Sequence, residues 1–112
     1  MHFYSVWNER HHLYPIVVDF PHSGIIVPDP IRAQMRPDAV LSNTDWFLPN
    51  LYAFLEPMGV TSLINHLNRY VIDMNRAPCA DAVGGYQKEM VYQHNTFGHP
   101  IYRFPLKAKD LH

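Results

Sequence analysis

Residues 14–20 (YPIVVDF) form a β-branched apolar run bounded by Pro21 and Gly24. It is short and apolar on both faces, the pattern of a strand buried inside a sheet. The residues that follow, Pro21-His22-Ser23-Gly24, make a tight loop off the strand end. In open α/β sheets, loops after the carboxyl ends of strands are where ligands bind. Residues 27–38 hold three prolines and read as surface loop, with a turn or two of helix near residues 30–35. Residues 46–58 place Phe47, Leu48, Leu51, Phe54, Leu55 and Met58 at helical spacing. Thr44 or Asp45 is the expected N-cap, and Pro57 and Gly59 the stop. Residues 60–64 (VTSLI) and 70–73 (YVID) read as two further strands. The strand, helix, strand order predicts an α/β fold with a mixed, partly parallel sheet and flanking helices. Residues 77–99 show no period and read as a long irregular segment. Residues 101–103 read as a short extended piece, and residues 107–112 as the opening of a helix.

Length sharpens this picture. The chain has 112 residues and reads as a single domain spanning residues 1–112. It is 47% hydrophobic and 17% charged, which excludes a disordered chain and indicates a large apolar surface to hide. The formal net charge of −1 gives no pull toward nucleic acid or an anionic membrane. The lone Cys79 excludes an internal disulfide framework and fits a reducing compartment. The N-terminus has neither the basic start nor the apolar run of a signal peptide, so a cytoplasmic protein is the expectation.

Eight histidines direct attention to metal chemistry. His22 sits on the strand-end loop beside Ser23 and Gly24, either as a ligand or as part of a capped turn. Asp45 caps the mid-chain helix, faces a metal, or does both. Together they offer one nitrogen and one oxygen, acceptable to Zn²⁺, whose catalytic sites take three protein ligands. Arg69 and Arg76 flank the 70–73 segment. The fork of Arg76, next to Asn75, suits a carboxylate, with a structural ion pair to Asp73 or Asp19 as the alternative. His11, His12, His66 and His112 have no partner at metal spacing. His94 and His99 read as packing residues of the long loop. Ser23 is not read as a nucleophile, because a Ser and a His adjacent on a turn rarely align.

Four blocks in order, VVDFPHSG, TDWFLPNLYAF, NRYVIDMNRAP and NTFGHPIYRFPL, resemble the N-terminal part of the N-formylglutamate amidohydrolase family. The resemblance implies a fold related to zinc carboxypeptidases, here incomplete. It implies zinc-dependent hydrolysis of N-formyl-L-glutamate to formate and L-glutamate in histidine breakdown. It makes His22 and Asp45 zinc ligands, and makes Asn75 and Arg76 binders of the substrate carboxylate with Arg69 in support. The third ligand and the general base are expected beyond His112, so the 112 residues alone are expected to be inactive. The competing reading is a non-catalytic truncated module that folds or acts only with another chain. An incomplete sheet would leave an open edge, a route to self-association.

Overall fold

The structure is a computed structural model that describes residues 2–76 and 91–104. Three strands form one sheet: β1 (Tyr4–Trp7), β2 (Val17–Phe20) and β3 (Thr61–Asn65), in the order β1-β3-β2. β3 runs antiparallel to β1 and parallel to β2, pairing Tyr4 with Asn65 and Phe20 with Ile64. The mixed, partly parallel sheet follows the expectation from the chain. A parallel pair needs a long crossover, and residues 21–60 supply it. They carry a one-turn helix α1 (Asp29–Arg32), a one-turn helix α2 (Leu48–Leu51) and a 3-10 turn at Ala53–Leu55.

The alternation of side chains gives the sheet two unlike faces. On one, Phe20, Leu55, Val60 and Ile64 are buried together, with Trp7, Val18 and Leu48 packed around them. On the other, Tyr4, Val17 and Leu63 stay exposed. A second core lies beside the sheet, built from Val27, Met35, Tyr70, Tyr92, Ile101 and Tyr102. Tyr70 and Tyr92 stack edge to face at 5.3 Å.

Several expectations from the chain are corrected. The run at residues 14–20 is extended only from Val17, and it is an outer strand rather than a buried one. β3 takes the central place, so Val17 remains 69% exposed. The helix expected over residues 46–58 breaks after one turn. Tyr52 leaves the helical region at φ −102°, ψ 16°, and the chain tightens into the 3-10 turn. Phe47, in a left-handed conformation, precedes α2, so neither Thr44 nor Asp45 is its N-cap. The Thr44 hydroxyl instead donates to the Leu41 carbonyl at 3.0 Å and accepts from the Asn68 amide at 3.0 Å.

Residues 70–73 are not a strand: 69–71 form a turn and 72–73 are irregular. The Asn68 side-chain oxygen accepts the Tyr70 N–H at 3.0 Å, and the Asn68 carbonyl accepts the Val71 N–H at 2.9 Å. An asparagine that captures the backbone this way offers the chain an alternative to the sheet ladder. The remaining strand, β1, has no counterpart among the expectations from the chain. Its Ser5 hydroxyl lies 2.6 Å from His66 Nε2, which gives His66 a polar partner on the sheet. The short helix near residues 30–35 starts one residue earlier and ends at Arg32. The 101–103 piece reduces to an isolated bridge between Tyr102 and Met35. The expected helix at residues 107–112, and residues 77–90 of the irregular segment, lie outside the described residues.

Candidate active site

β2 and β3 are parallel, so their carboxyl ends deliver two loops to the same edge of the sheet. Residues 21–24 leave β2 and residues 66–76 leave β3. The two loops are stitched together by backbone and amide bonds. Asn65 Nδ2 donates to the Pro21 carbonyl at 2.9 Å and Asn68 Nδ2 to the Gly24 carbonyl at 3.2 Å. Ile26 N–H reaches the His66 carbonyl at 3.0 Å, and Asn68 N–H the Ile26 carbonyl at 2.9 Å. Gly24 makes this approach possible. A Cβ there would stand 2.1 Å from the Leu67 oxygen and 2.4 Å from the His66 carbonyl carbon. The Ser23 hydroxyl is buried and donates to the carbonyls of Phe20 and Asn65, both at 3.3 Å. It is a lock for the loop, and that explains a serine beside His22 without invoking a nucleophile.

The loops bring His22 and Asp73 together, with His22 Nε2 2.7 Å from Asp73 Oδ1. With the carboxylate as acceptor the imidazole donates from Nε2, which in a neutral ring would leave Nδ1 as the lone-pair nitrogen. Asp73 is 1% exposed and saturated with donors. Its Oδ1 also accepts the Asn75 N–H at 2.8 Å. Its Oδ2 accepts from the Tyr92 hydroxyl and from Arg69 Nη2 at 3.4 Å, with Arg76 Nη1 at 3.6 Å. A buried carboxylate is tolerable only with such compensation.

Of the residues singled out from the chain, His22, Arg69, Asn75 and Arg76 all meet around Asp73. Arg69 is fixed from both ends, to the Asn43 carbonyl at 2.9 Å and to the Tyr92 hydroxyl at 3.2 Å. Arg76 is held less completely. Its Nη1 donates to the Asn75 carbonyl at 3.0 Å, while its buried Nε has no hydrogen-bond partner among the described residues. Both guanidinium groups lie over the Tyr92 ring, at 5.6 and 5.8 Å. Asp45 is joined to His22 through the backbone, its N–H donating to the His22 carbonyl at 3.0 Å. Its carboxylate is exposed and makes no hydrogen bond among the described residues. His94 and His99 belong to a separate turn closed by the bridge between His94 and Pro100. No group of three or more His, Cys, Asp or Glu side chains placed to hold a metal occurs among the described residues.

The chain alone did not point to Asp73 and Tyr92 as the centre of the site. Asp73 entered only as an ion-pair partner of an arginine. Its signal was the spacing of Arg69, Asp73 and Arg76, which puts two guanidinium groups within reach of one carboxylate.

Two loops thus bring a buried carboxylate, a histidine and two arginines together at one edge of the mixed sheet. The chain belongs to the N-formylglutamate amidohydrolase family, whose model matches residues 14–112. It is similar to the N-formylglutamate deformylase of Pseudomonas aeruginosa, with 33% identity over 91 residues, covering 80% of this chain and 34% of that protein. It is also similar to the N-formylglutamate deformylase of Pseudomonas putida, with 35% identity over 63 residues, covering 55% of this chain and 24% of that protein. The chain thus spans about a third of the first relative's length and less of the second's. No solved structure matches. No helix of the described residues is long and apolar enough to cross a membrane.

Proposed function

We propose that this chain supplies the N-terminal part of a zinc-dependent hydrolase that releases formate from N-formyl-L-glutamate, a step of cytoplasmic histidine breakdown. The observation that carries the reading is the His22–Asp73 contact. A metal-binding histidine commonly donates its other ring N–H to a carboxylate, which fixes tautomer and ring orientation. Asp73 does this for His22 and leaves Nδ1 for a metal. The donor set fits zinc as far as it goes, one imidazole nitrogen from His22 and one oxygen from Asp45. No third ligand joins them among the described residues. Zinc, when bound, would polarise the formyl carbonyl and make a water nucleophilic at neutral pH. Arg76, the more exposed of the two arginines and the more loosely held by Asp73, would hold the glutamate carboxylate, with Asn75 beside it. Arg69, held by Asp73, the Tyr92 hydroxyl and the Asn43 carbonyl, would position Asp73 and Arg76 rather than touch substrate.

Zinc per chain in the wild type, His22→Ala and Asp45→Ala tests the metal assignment. Loss of zinc in both variants is expected, and unchanged content in both overturns it. Hydrolysis of the substrate's amide analogue tests the clamp. Turnover equal to that of the free acid, in protein joined to the remaining part of a relative, overturns the role of Arg76.

A second reading is favoured by one observation, the uncovered sheet face with its apolar cleft of about 360 Å³ lined by Phe3, Tyr4, Leu63 and Met74. On that reading the chain is a non-catalytic module that folds or acts with another chain, or pairs with itself along the outer strand. Sedimentation over a range of concentrations separates a self-associating chain from a monomer.

A further inference from the structure

Three arginines outside the His22 site converge on one cavity. The end of α1 and residues 101–103 come together through the Arg36 N–H on the Ile101 carbonyl at 2.7 Å and the Arg103 N–H on the Gln34 carbonyl at 2.9 Å. Between them lies a cavity of about 280 Å³ walled by Arg32, Arg36 and Arg103, with Met35, Ala39 and Leu41 as its apolar part. No acidic residue lines it. Clustered like charges repel, and apolar walls focus their field.

The guanidinium groups are only partly engaged. Arg103 is anchored through Nε to the Met35 carbonyl at 3.1 Å, which orients its fork. Arg36 uses Nε on the exposed Asp38 carboxylate at 3.3 Å. The terminal nitrogens of both, and the whole guanidinium of Arg32, make no hydrogen bond or ion pair among the described residues. Counting Asp38, three positive charges and one negative leave a net charge of +2 around the cavity. Arg36 and Arg103 also line an adjoining cleft of about 160 Å³ beside His94.

We infer that this cavity binds a small doubly charged oxyanion of the phosphate type. Planar guanidinium forks match phosphate oxygens two at a time, and a dianion neutralises the local charge where a monocarboxylate would not. The whole chain's formal net charge of −1 and the cavity's size favour a small ligand over a polyanion. The site is independent of the reading given for His22 and Asp73, so either stands if the other fails.

Calorimetric titration of the 112-residue chain with inorganic phosphate tests it, with glycerol 3-phosphate and acetate as parallel arms. Saturable phosphate binding is expected, with acetate much weaker. Tighter binding of the ester than of free phosphate would place the ligand among phosphate monoesters, and the reverse among free phosphate. Arg32→Gln touches no other described group and should leave the fold intact while weakening phosphate at least about fivefold, as the loss of a charge-assisted contact does. Arg103→Gln should weaken it further. Arg10→Gln removes one exposed charge away from the cavity and should change affinity less than about twofold. Absence of saturable binding up to about 10 mM overturns the proposal. So does acetate binding as tightly as phosphate, or Arg10→Gln weakening phosphate as much as Arg32→Gln.

Discussion

His22 and Asp73 meet at 2.7 Å although 51 positions separate them in the chain. The contact holds only because two parallel strands end at the same edge. Asp73 is therefore both the orienting partner of His22 and the counter-charge of two arginines. Asp73→Asn leaves Arg69 and Arg76 facing a neutral amide inside the protein. We expect a loss of about 3 kcal/mol in urea denaturation, in the range seen when one member of a buried pair is removed. Nitrogen NMR of the His22 ring should show a proton on Nε2 in the wild type and a redistributed tautomer in the variant. An unchanged tautomer would separate the histidine from the carboxylate.

Two glycines make a controlled comparison. Gly24→Ala drives a methyl into the Leu67 and His66 backbone, at 2.1 and 2.4 Å, where nothing can yield. Destabilisation of about 3 kcal/mol is expected. Gly98 has open space for a methyl but a φ of 79°, so Gly98→Ala should cost only about 1 kcal/mol. Equal effects in chemical denaturation would contradict the close approach of the two loops.

Phe47 sits at φ 59° and is 71% exposed. A bulky residue in the left-handed region is strained, and this one recovers little by burial. Phe47→Gly is expected to raise stability by roughly 0.5 kcal/mol, the relief of strain less the extra chain entropy of glycine. Phe47→Val should lower it. A thermal midpoint that falls for glycine and rises for valine would disprove the strain.

Burial pushes the Tyr102 phenol from 10.0 up to about 12, and its hydroxyl donates to the Tyr70 carbonyl at 3.2 Å. The raised value means that the folded state keeps a proton the unfolded chain has lost. The stabilisation is complete below pH 10.0 and is lost as pH rises toward about 12, on the order of 2 kcal/mol in all. Tyr102→Phe should be about 1 kcal/mol less stable at neutral pH, through the lost hydrogen bond, and should show a shallower alkaline decline. Urea midpoints across the alkaline range check this, and parallel curves for the two proteins would refute it.

Much of the frame was legible in the chain. The β-branched runs at residues 14–20 and 60–64 did become the parallel pair, because nothing local competed with extension there. The Pro21–Gly24 loop fell at the carboxyl edge for the same reason. What was not legible depended on contacts distant in sequence. The apolar spacing of residues 46–58 is helical, yet Phe47 turns left-handed before the first turn and Tyr52 leaves the helical region after it. Residues 70–73 look like a strand until Asn68 captures their backbone. The spacing of charges around Asp73 was visible, but its role needed the fold to carry His22 to it and to bring in Tyr92 from beyond the irregular segment.

The strand order β1-β3-β2 also carries a consequence for synthesis on the ribosome. The first two strands to emerge are not neighbours, and each pairs with β3, which is translated last. Until residues 61–65 leave the exit tunnel, β1 and β2 have no ladder between them, and their apolar side chains face the cell unpaired. The nascent chain therefore passes through a window of some forty residues in which chaperone capture competes with folding, and closing that long crossover is the slow, entropically opposed event. Synonymous codons that slow translation once residues 61–65 have left the tunnel would lengthen the time available for closure, whereas a pause before they emerge would prolong the exposure.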